Sequence, residues 1–95
     1  MISARLIFRV HAIQRMFERK VSEADIRTIL ESGRTIEDYP EDVPFPSRLI
    51  LGRVRERPLH VVAARNEEQK ELIIITVYEP DLDLWEQDFK TRRRK

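Results

Sequence analysis

Cysteine is absent from this chain of 95 residues. Its absence excludes disulfide bonds, thiolate metal sites and a cysteine nucleophile, and it fits a reducing compartment. No apolar run approaches the length of a membrane span, and the amino terminus lacks the pattern of a secretion signal. We therefore expect a cytoplasmic protein that makes no membrane contact.

Histidine is also scarce, with His11 and His60 as the only two. Two imidazoles without cysteines, among acidic residues scattered along the chain, do not predict a zinc or iron site. We expect no metal and no cofactor, and a metal-dependent hydrolase is the weakest of the functional alternatives.

Charge is nearly balanced, with 18 basic and 17 acidic residues and a net charge of +1. Five of the basic residues fall in residues 90–95, which leaves residues 1–89 with thirteen basic and seventeen acidic residues, a net charge of −4. The bulk of the surface is therefore not a general binder of polyanions. Nucleic-acid contacts are expected only at local basic patches, and residues 90–95 are predicted to form a flexible basic tail on a single domain spanning residues 1–95.

Two helices are predicted in the first third of the chain. Val10, Ile13 and Phe17 recur at helical spacing over residues 8–20, so we expect them to form the buried face, widened by Ala12 and Met16. A second helix is predicted after residue 21. Its signals are a capping-box spacing (Ser22, Asp25), a hydrophobic staple (Val21, Ile26) and a left-handed terminal glycine (Gly33).

The rest of the chain predicts an antiparallel sheet of about four strands. Residues 35–39 form a candidate edge strand, and strands at 48–54, 59–64 and 72–78 follow as a meander with short connections. The last strand is apolar on both faces, which is typical of a central position. Trp85 and Phe89 are spaced for a short helical turn near the carboxyl terminus. The predicted fold class is α+β, with two N-terminal helices on the sheet.

Six ordered motifs together carry a resemblance that covers nearly the whole chain. They are His-Ala-x-x-Arg-Met-x-x-Arg (11–19), Val-Ser-x-x-Asp-Ile (21–26), Asp-Tyr-Pro-x-Asp-x-Pro-x-Pro-Ser (38–47), Leu-Gly-x-Val (51–54), Arg-Pro-Leu-His-Val-Val (57–62) and Thr-Val-Tyr-Glu-Pro-Asp (76–81) followed by Trp85 and Arg92-Arg93. The chain resembles the family catalogued as domain of unknown function 4258. That family is similar to the toxin ribonucleases of the RelE and MqsR kind. One departure is the turn Arg55-Glu56-Arg57-Pro58, where a glycine is expected, so this hairpin is predicted to be wider or more charged than in relatives.

The resemblance implies a RelE-like fold, metal-independent endoribonuclease chemistry on RNA, free or on the ribosome, and a cognate antitoxin partner such as one with a zinc ribbon. Cleavage by the RNA 2′-hydroxyl needs a base, an acid and fixed positive charge. We assign proton transfer to His60 and His11, charge stabilisation to Arg15 and Arg48, and orientation to Tyr78. Candidate RNA-binding residues are Arg19, Arg92 and Arg93.

Each of these residues also has a structural interpretation. His60 in an apolar strand fits a buried neutral imidazole, Tyr78 fits a core aromatic, and Arg15 and Arg19 fit surface ion pairs. Whether His60 and Tyr78 share a face of the sheet depends on a register that the sequence leaves open. The rival function is a noncatalytic protein- or nucleic-acid-binding module of the same fold, which the acidic balance of residues 1–89 favours.

Overall fold

The computed structural model describes residues 4–94, which form two helices and one five-stranded sheet. No helix within that range is long and apolar enough to cross a membrane. In chain order the elements are β1 (Arg5–Phe8), α1 (Val10–Arg19), α2 (Glu23–Ser32), β2 (Arg34–Tyr39), β3 (Ser47–Val54), β4 (Arg57–Asn66) and β5 (Glu71–Tyr78).

The sheet has the strand order β1-β5-β4-β3-β2, and its first pair is parallel. The α+β class is confirmed, but an antiparallel sheet of four strands is wrong, because β1 adds a fifth strand and makes the sheet mixed. The helices are also not first in the chain, since β1 precedes them. A strand of four residues gives little alternation to detect, and its partner β5 lies far along the sequence.

The meander of β3, β4 and β5 is antiparallel, as predicted, and β5 is central between β1 and β4. The turn between β3 and β4 contains only Arg55 and Glu56, with φ of 49° and 66°. Two successive positive φ values are typical of the tight hairpin turn that normally takes Asn or Gly. The absence of glycine therefore does not widen this hairpin.

Helix α2 begins with the predicted capping box. The Ser22 hydroxyl accepts from the Asp25 amide at 3.0 Å, and the Asp25 carboxylate accepts from the Ser22 amide at 3.0 Å. The Ser22 amide, with Arg55 nearby, lowers the pKa of Asp25 despite its burial. The helix ends at Gly33, but the left-handed conformation predicted there is wrong, because φ is −76° and ψ is 174°.

Gly33 is instead required by close packing. A Cβ at this position would lie 2.4 Å from the Ile29 carbonyl oxygen and 2.8 Å from the Leu51 carbonyl oxygen. Backbone atoms cannot move aside as a side chain can, so Gly33→Ala is expected to lower the free energy of unfolding by about 1–3 kcal/mol. Urea denaturation measures the loss. The neighbouring exposed Ser32→Ala is the control, and equal stability of the two variants would contradict this account.

Helix α1 packs on the sheet through a different face from the one predicted. Ala12 is fully buried and Met16 packs against the core. Val10, Ile13 and Phe17 are 72%, 53% and 87% exposed, so their assignment to the core is wrong. At about 100° per residue, the Val10–Ile13–Phe17 direction is rotated by about 100° from that of Ala12 and Met16. The small Ala12 side chain brings the helix close to the sheet, and the larger residues remain outside.

The sheet face opposite the helices is covered by the segment 81–94, which we call the C-terminal hairpin. It starts with one helical turn, in which the Trp85 amide donates to the Asp81 carbonyl at 2.9 Å. It then folds back, with Trp85 and Arg92 paired and the Glu86 amide donating to the Thr91 carbonyl at 2.8 Å. The predicted helical turn is present, but it ends before Phe89, whose φ is 60°.

Candidate functional site

The pairing of β4 with β5 places His60 directly opposite Tyr78. Directly opposed residues of an antiparallel pair point to the same face, so these two candidates lie together. His60 also lies opposite Leu51 on β3, whereas the neighbouring pair of Ile50 and Val61 belongs to the core under the helices. The His60–Tyr78 pair therefore lies on the far face of the sheet, beneath the C-terminal hairpin.

Both ring nitrogens of His60 have protein partners, and the residue has 0% exposure. Nε2 lies 2.6 Å from the Phe89 carbonyl oxygen, and Nδ1 lies 3.2 Å from the Tyr78 hydroxyl oxygen. A carbonyl can only accept, so Nε2 carries the proton and Nδ1 accepts from Tyr78. Burial lowers the pKa of His60 from its ordinary 6.5, although the Phe89 carbonyl and Glu37 act in the opposite direction. The imidazole is therefore neutral at pH 7.

Trp85 closes this site from the hairpin side. Its ring lies edge to face with the His60 ring, with centroids 4.6 Å apart, and its exposure is 2%. Tyr78 is only partly buried, and burial raises the pKa of its phenol. Of the two paired candidates, only Tyr78 reaches the surface.

A second polar group adjoins the site and was not foreseen from the sequence. Arg92 donates to Glu37 through two nitrogens, at 3.0 and 3.3 Å, and its guanidinium lies 4.5 Å from the centre of the Trp85 ring. The Tyr39 hydroxyl donates to the same carboxylate. The bond from Arg92 lowers the pKa of Glu37, which burial alone would raise. Arg92 is thus held between a carboxylate and an indole.

Arg93 is also engaged within the chain. Its Nε donates to the Leu82 carbonyl, and its guanidinium lies 3.5 Å from Glu86. Arg92 and Arg93, two of the three arginines predicted to bind RNA, therefore contribute to the hairpin. Asp88 further closes it by accepting from the Lys90 and Thr91 amides at 3.0 Å. The mobility of residues 90–94 stays a prediction, and Lys95 lies outside the described residues.

The other predicted site residues lie on the helix side of the sheet or on α1. Arg15 donates to Glu18 at 3.3 Å and lies 3.5 Å from the His11 ring, which agrees with a surface ion pair. Arg19 is exposed, and its backbone carbonyl accepts from Arg57 at 2.6 Å. Arg48 on β3 lies opposite Ala63 on β4, and Ala63 belongs to the core beneath the helices. The structure does not bring these residues to the His60–Tyr78 pair.

Two clefts lie beside the loop that joins β2 to β3, and Phe45 contributes to both. The larger, about 720 Å³, contains Arg48 and Arg65 but also Asp38, Glu67 and Glu68 among its lining residues. The smaller, about 470 Å³, is lined mainly by apolar groups and carries Arg9 and His11. The acidic residues of the larger cleft disfavour a phosphate there. Within residues 4–94 no three histidine or acidic side chains are grouped so as to hold a metal ion.

The fold and the site define an α+β domain with helices on one face of a mixed sheet and a hairpin on the other. Residues 8–79 match the family described as domain of unknown function DUF4258, and the chain belongs to that family. No match was found among curated proteins or solved structures.

Proposed function

We propose that this domain is a noncatalytic protein-binding module whose binding surface is the outer face of α1. The observation that carries the proposal is the exposure of Val10, Ile13 and Phe17 at 72%, 53% and 87%. Three large apolar side chains at spacing i, i+3, i+7 form one continuous stripe on a helix. Contiguous exposed apolar surface is typical of interaction sites, whereas hydrophobic residues scattered singly over a protein surface are common and indicate nothing.

The arrangement of the titratable groups supports the same proposal. His60, in the sheet, is fully buried, and both of its ring nitrogens are hydrogen-bonded. His11, on α1, lies on the opposite side of the sheet. A base and an acid that act on one phosphodiester must both reach it within hydrogen-bond distance. Two histidines on opposite sides of a sheet cannot do so.

A photo-cross-linking amino acid at position 17 tests this proposal in cells. We expect it to cross-link to one discrete protein, which can then be identified, purified and titrated against the domain. Phe17→Asp should weaken that complex at least about 100-fold, because a charge would be buried against apolar groups. Val43 is equally exposed, at 89%, so the same probe and substitution at position 43 are the matched control. Equal cross-linking at both positions would count against a binding surface on α1.

The second candidate is a metal-independent endoribonuclease with a RelE-like fold, the toxin of a toxin-antitoxin pair. One observation favours it: the Phe89 carbonyl, His60 and Tyr78 form a continuous hydrogen-bonded chain that ends at a partly exposed hydroxyl. In such a chain the carbonyl fixes the tautomer of the imidazole, and the imidazole orients the phenol. Tyr78 would contact the RNA, and His60 would be a positioning residue.

If this candidate is right, Tyr78→Phe should reduce cleavage of mixed RNA by about 100-fold, and cleavage by the unaltered protein should survive a chelator. Tyr39→Phe removes another phenol that is hydrogen-bonded within the chain, so it is the control and should keep its activity. Strong expression of the unaltered protein should slow growth, with relief by the antitoxin. Folded protein that cuts no RNA, alone or with ribosomes, removes this candidate.

A further inference from the structure

The basic residues at the two ends of the stripe, Arg9 and Lys20, indicate which kind of partner it fits. We propose that the outer face of α1, defined by Val10, Ile13 and Phe17, binds an acidic amphipathic helix of another protein. This inference rests on the proposed binding function and adds the chemistry and conformation of the partner segment.

The dimensions of the stripe fit a helix. Val10 and Phe17 are seven residues apart, so at 1.5 Å per residue the stripe is about 10 Å long. All three side chains fall within an arc of about 60° when successive residues are placed 100° apart. A second helix with apolar residues at spacing i, i+3 or i+4, and i+7 presents a ridge of the same length and width.

The helix is held rigidly enough to serve as a docking surface. Its amino end follows β1 directly, and the Arg9 amide donates to the Ile74 carbonyl of β5 at 3.1 Å. Its carboxyl end closes at Lys20 in the left-handed conformation, and Arg57 holds the Arg19 carbonyl at 2.6 Å. Two anchored ends leave the stripe preorganised, which lowers the entropic cost of association.

The charge along the same helix selects an acidic partner. Arg9 and Lys20, at the two ends of the stripe, form no ion pair among residues 4–94. At 100° per residue, Arg15 and Arg19 project about 150–170° away from the stripe and do not border it. Glu18, which lies nearer to the stripe, is paired with Arg15. The helix and its two flanking residues therefore carry positive charge on a chain whose residues 1–89 are acidic overall. Complementary charge on the partner favours association, and like charge suppresses it.

A second copy of this chain is disfavoured for the same reason. Two α1 helices packed through their stripes would bring two sets of unpaired arginine and lysine side chains together. Nucleic acid would match the charge but leaves Val10, Ile13 and Phe17 without apolar partners. An acidic helix satisfies both features of the surface.

Three designed peptides of 18 residues test the inference by fluorescence anisotropy. The first has leucine at helical spacing on one face and glutamate elsewhere, the second has lysine in place of glutamate, and the third is a scrambled acidic sequence. We expect the acidic amphipathic peptide to bind at least about tenfold more tightly than the other two. Phe17→Asp should weaken its binding at least about tenfold, and Lys20→Glu should weaken it while strengthening binding of the lysine peptide. Leu84→Asp, at a residue that is 49% exposed elsewhere, should change nothing.

Equal affinity for the acidic and lysine peptides, or binding that ignores Phe17→Asp, would overturn the inference. So would a dimer seen in sedimentation that Phe17→Asp dissociates, or an RNA oligonucleotide that competes for the same face. If the probe at position 17 identifies a protein whose contacting segment is neither acidic nor helical, this inference fails and the binding function stands. If no protein contacts α1 in cells, both fail.

Discussion

Trp85→Ala is expected to lower the free energy of unfolding by about 3–5 kcal/mol, the usual cost of removing a large buried aromatic. Trp85 is 2% exposed and lies between the His60 ring, at 4.6 Å, and the Arg92 guanidinium, at 4.5 Å. Its removal leaves a cavity and also takes away the surface on which Arg92 rests. We expect the C-terminal hairpin to detach from the sheet at lower denaturant than the rest of the domain unfolds.

Chemical denaturation followed by circular dichroism measures the loss of stability, and hydrogen exchange of the residue 81–94 amides reports detachment. Leu84→Ala is the control, because Leu84 is one residue away but 49% exposed, and its effect should stay below about 1 kcal/mol. A Trp85→Ala variant as stable as Leu84→Ala would show that the hairpin contributes little to the fold.

His60→Leu is expected to cost about 2–4 kcal/mol. The substitution leaves the Phe89 carbonyl and the Tyr78 hydroxyl without their present partner, and a buried polar group without a partner loses its full desolvation free energy. His60→Gln can restore one of the two bonds, so its loss should be smaller. Equal stability of the Leu variant and the unaltered protein would contradict the assigned hydrogen bonds.

The same histidine predicts how stability depends on pH. Because burial lowers the pKa of His60 in the folded state below 6.5, the unfolded chain binds more protons at mildly acidic pH. Its stabilising contribution is complete above about pH 6.5 and is lost as the pH falls from there toward the folded-state pKa. Asp25 and Glu37 also have lowered pKa values, but their contributions are lost only below their ordinary values of 3.8 and 4.5.

Urea denaturation at several pH values between about 5 and 7 therefore isolates the histidine contribution. Stability should decline toward pH 5 in the unaltered protein and stay level in His60→Gln. His11 is exposed on α1, so His11→Gln is the control, and the stability of this variant should still decline toward pH 5. A level profile in the unaltered protein would argue against a buried neutral imidazole.

Local signals in the sequence predicted the elements whose structure is set by near neighbours. The capping box of α2 lies within four residues, and both of its bonds are present. The long apolar run of β5 predicted its central position. The buried face of α1 was predicted wrongly, because hydrophobic periodicity finds the largest apolar residues and not the side on which a small alanine allows close packing. Helix α1 has one apolar face that is buried and another that is exposed, so its hydrophobic periodicity does not indicate which of the two packs on the sheet.

The site was predictable only where one strand pairing decides it. His60 and Tyr78 were both identified, and the register that the sequence left open places them opposite each other. The group of Glu37, Tyr39 and Arg92 was missed, since Arg92 lies 55 residues from Glu37 along the chain. The only local signal was that Glu37 and Tyr39, two residues apart on β2, point to the same face of the sheet, and this spacing does not indicate that Arg92 is their partner.

The parallel pairing of β1 with β5 has a consequence for the order of events during synthesis. Arg5 lies beside Glu71, 66 residues later, so the first strand has no partner until most of the domain has left the ribosome. At about 5–20 residues per second, β1 waits for several seconds. The hairpin of β3 and β4 and helix α2 can form earlier from nearby contacts, whereas closure of the β1 edge must wait for β5 and comes late. During that interval β1 and the apolar side chains of α1 remain available to chaperones, or to a partner that is already present.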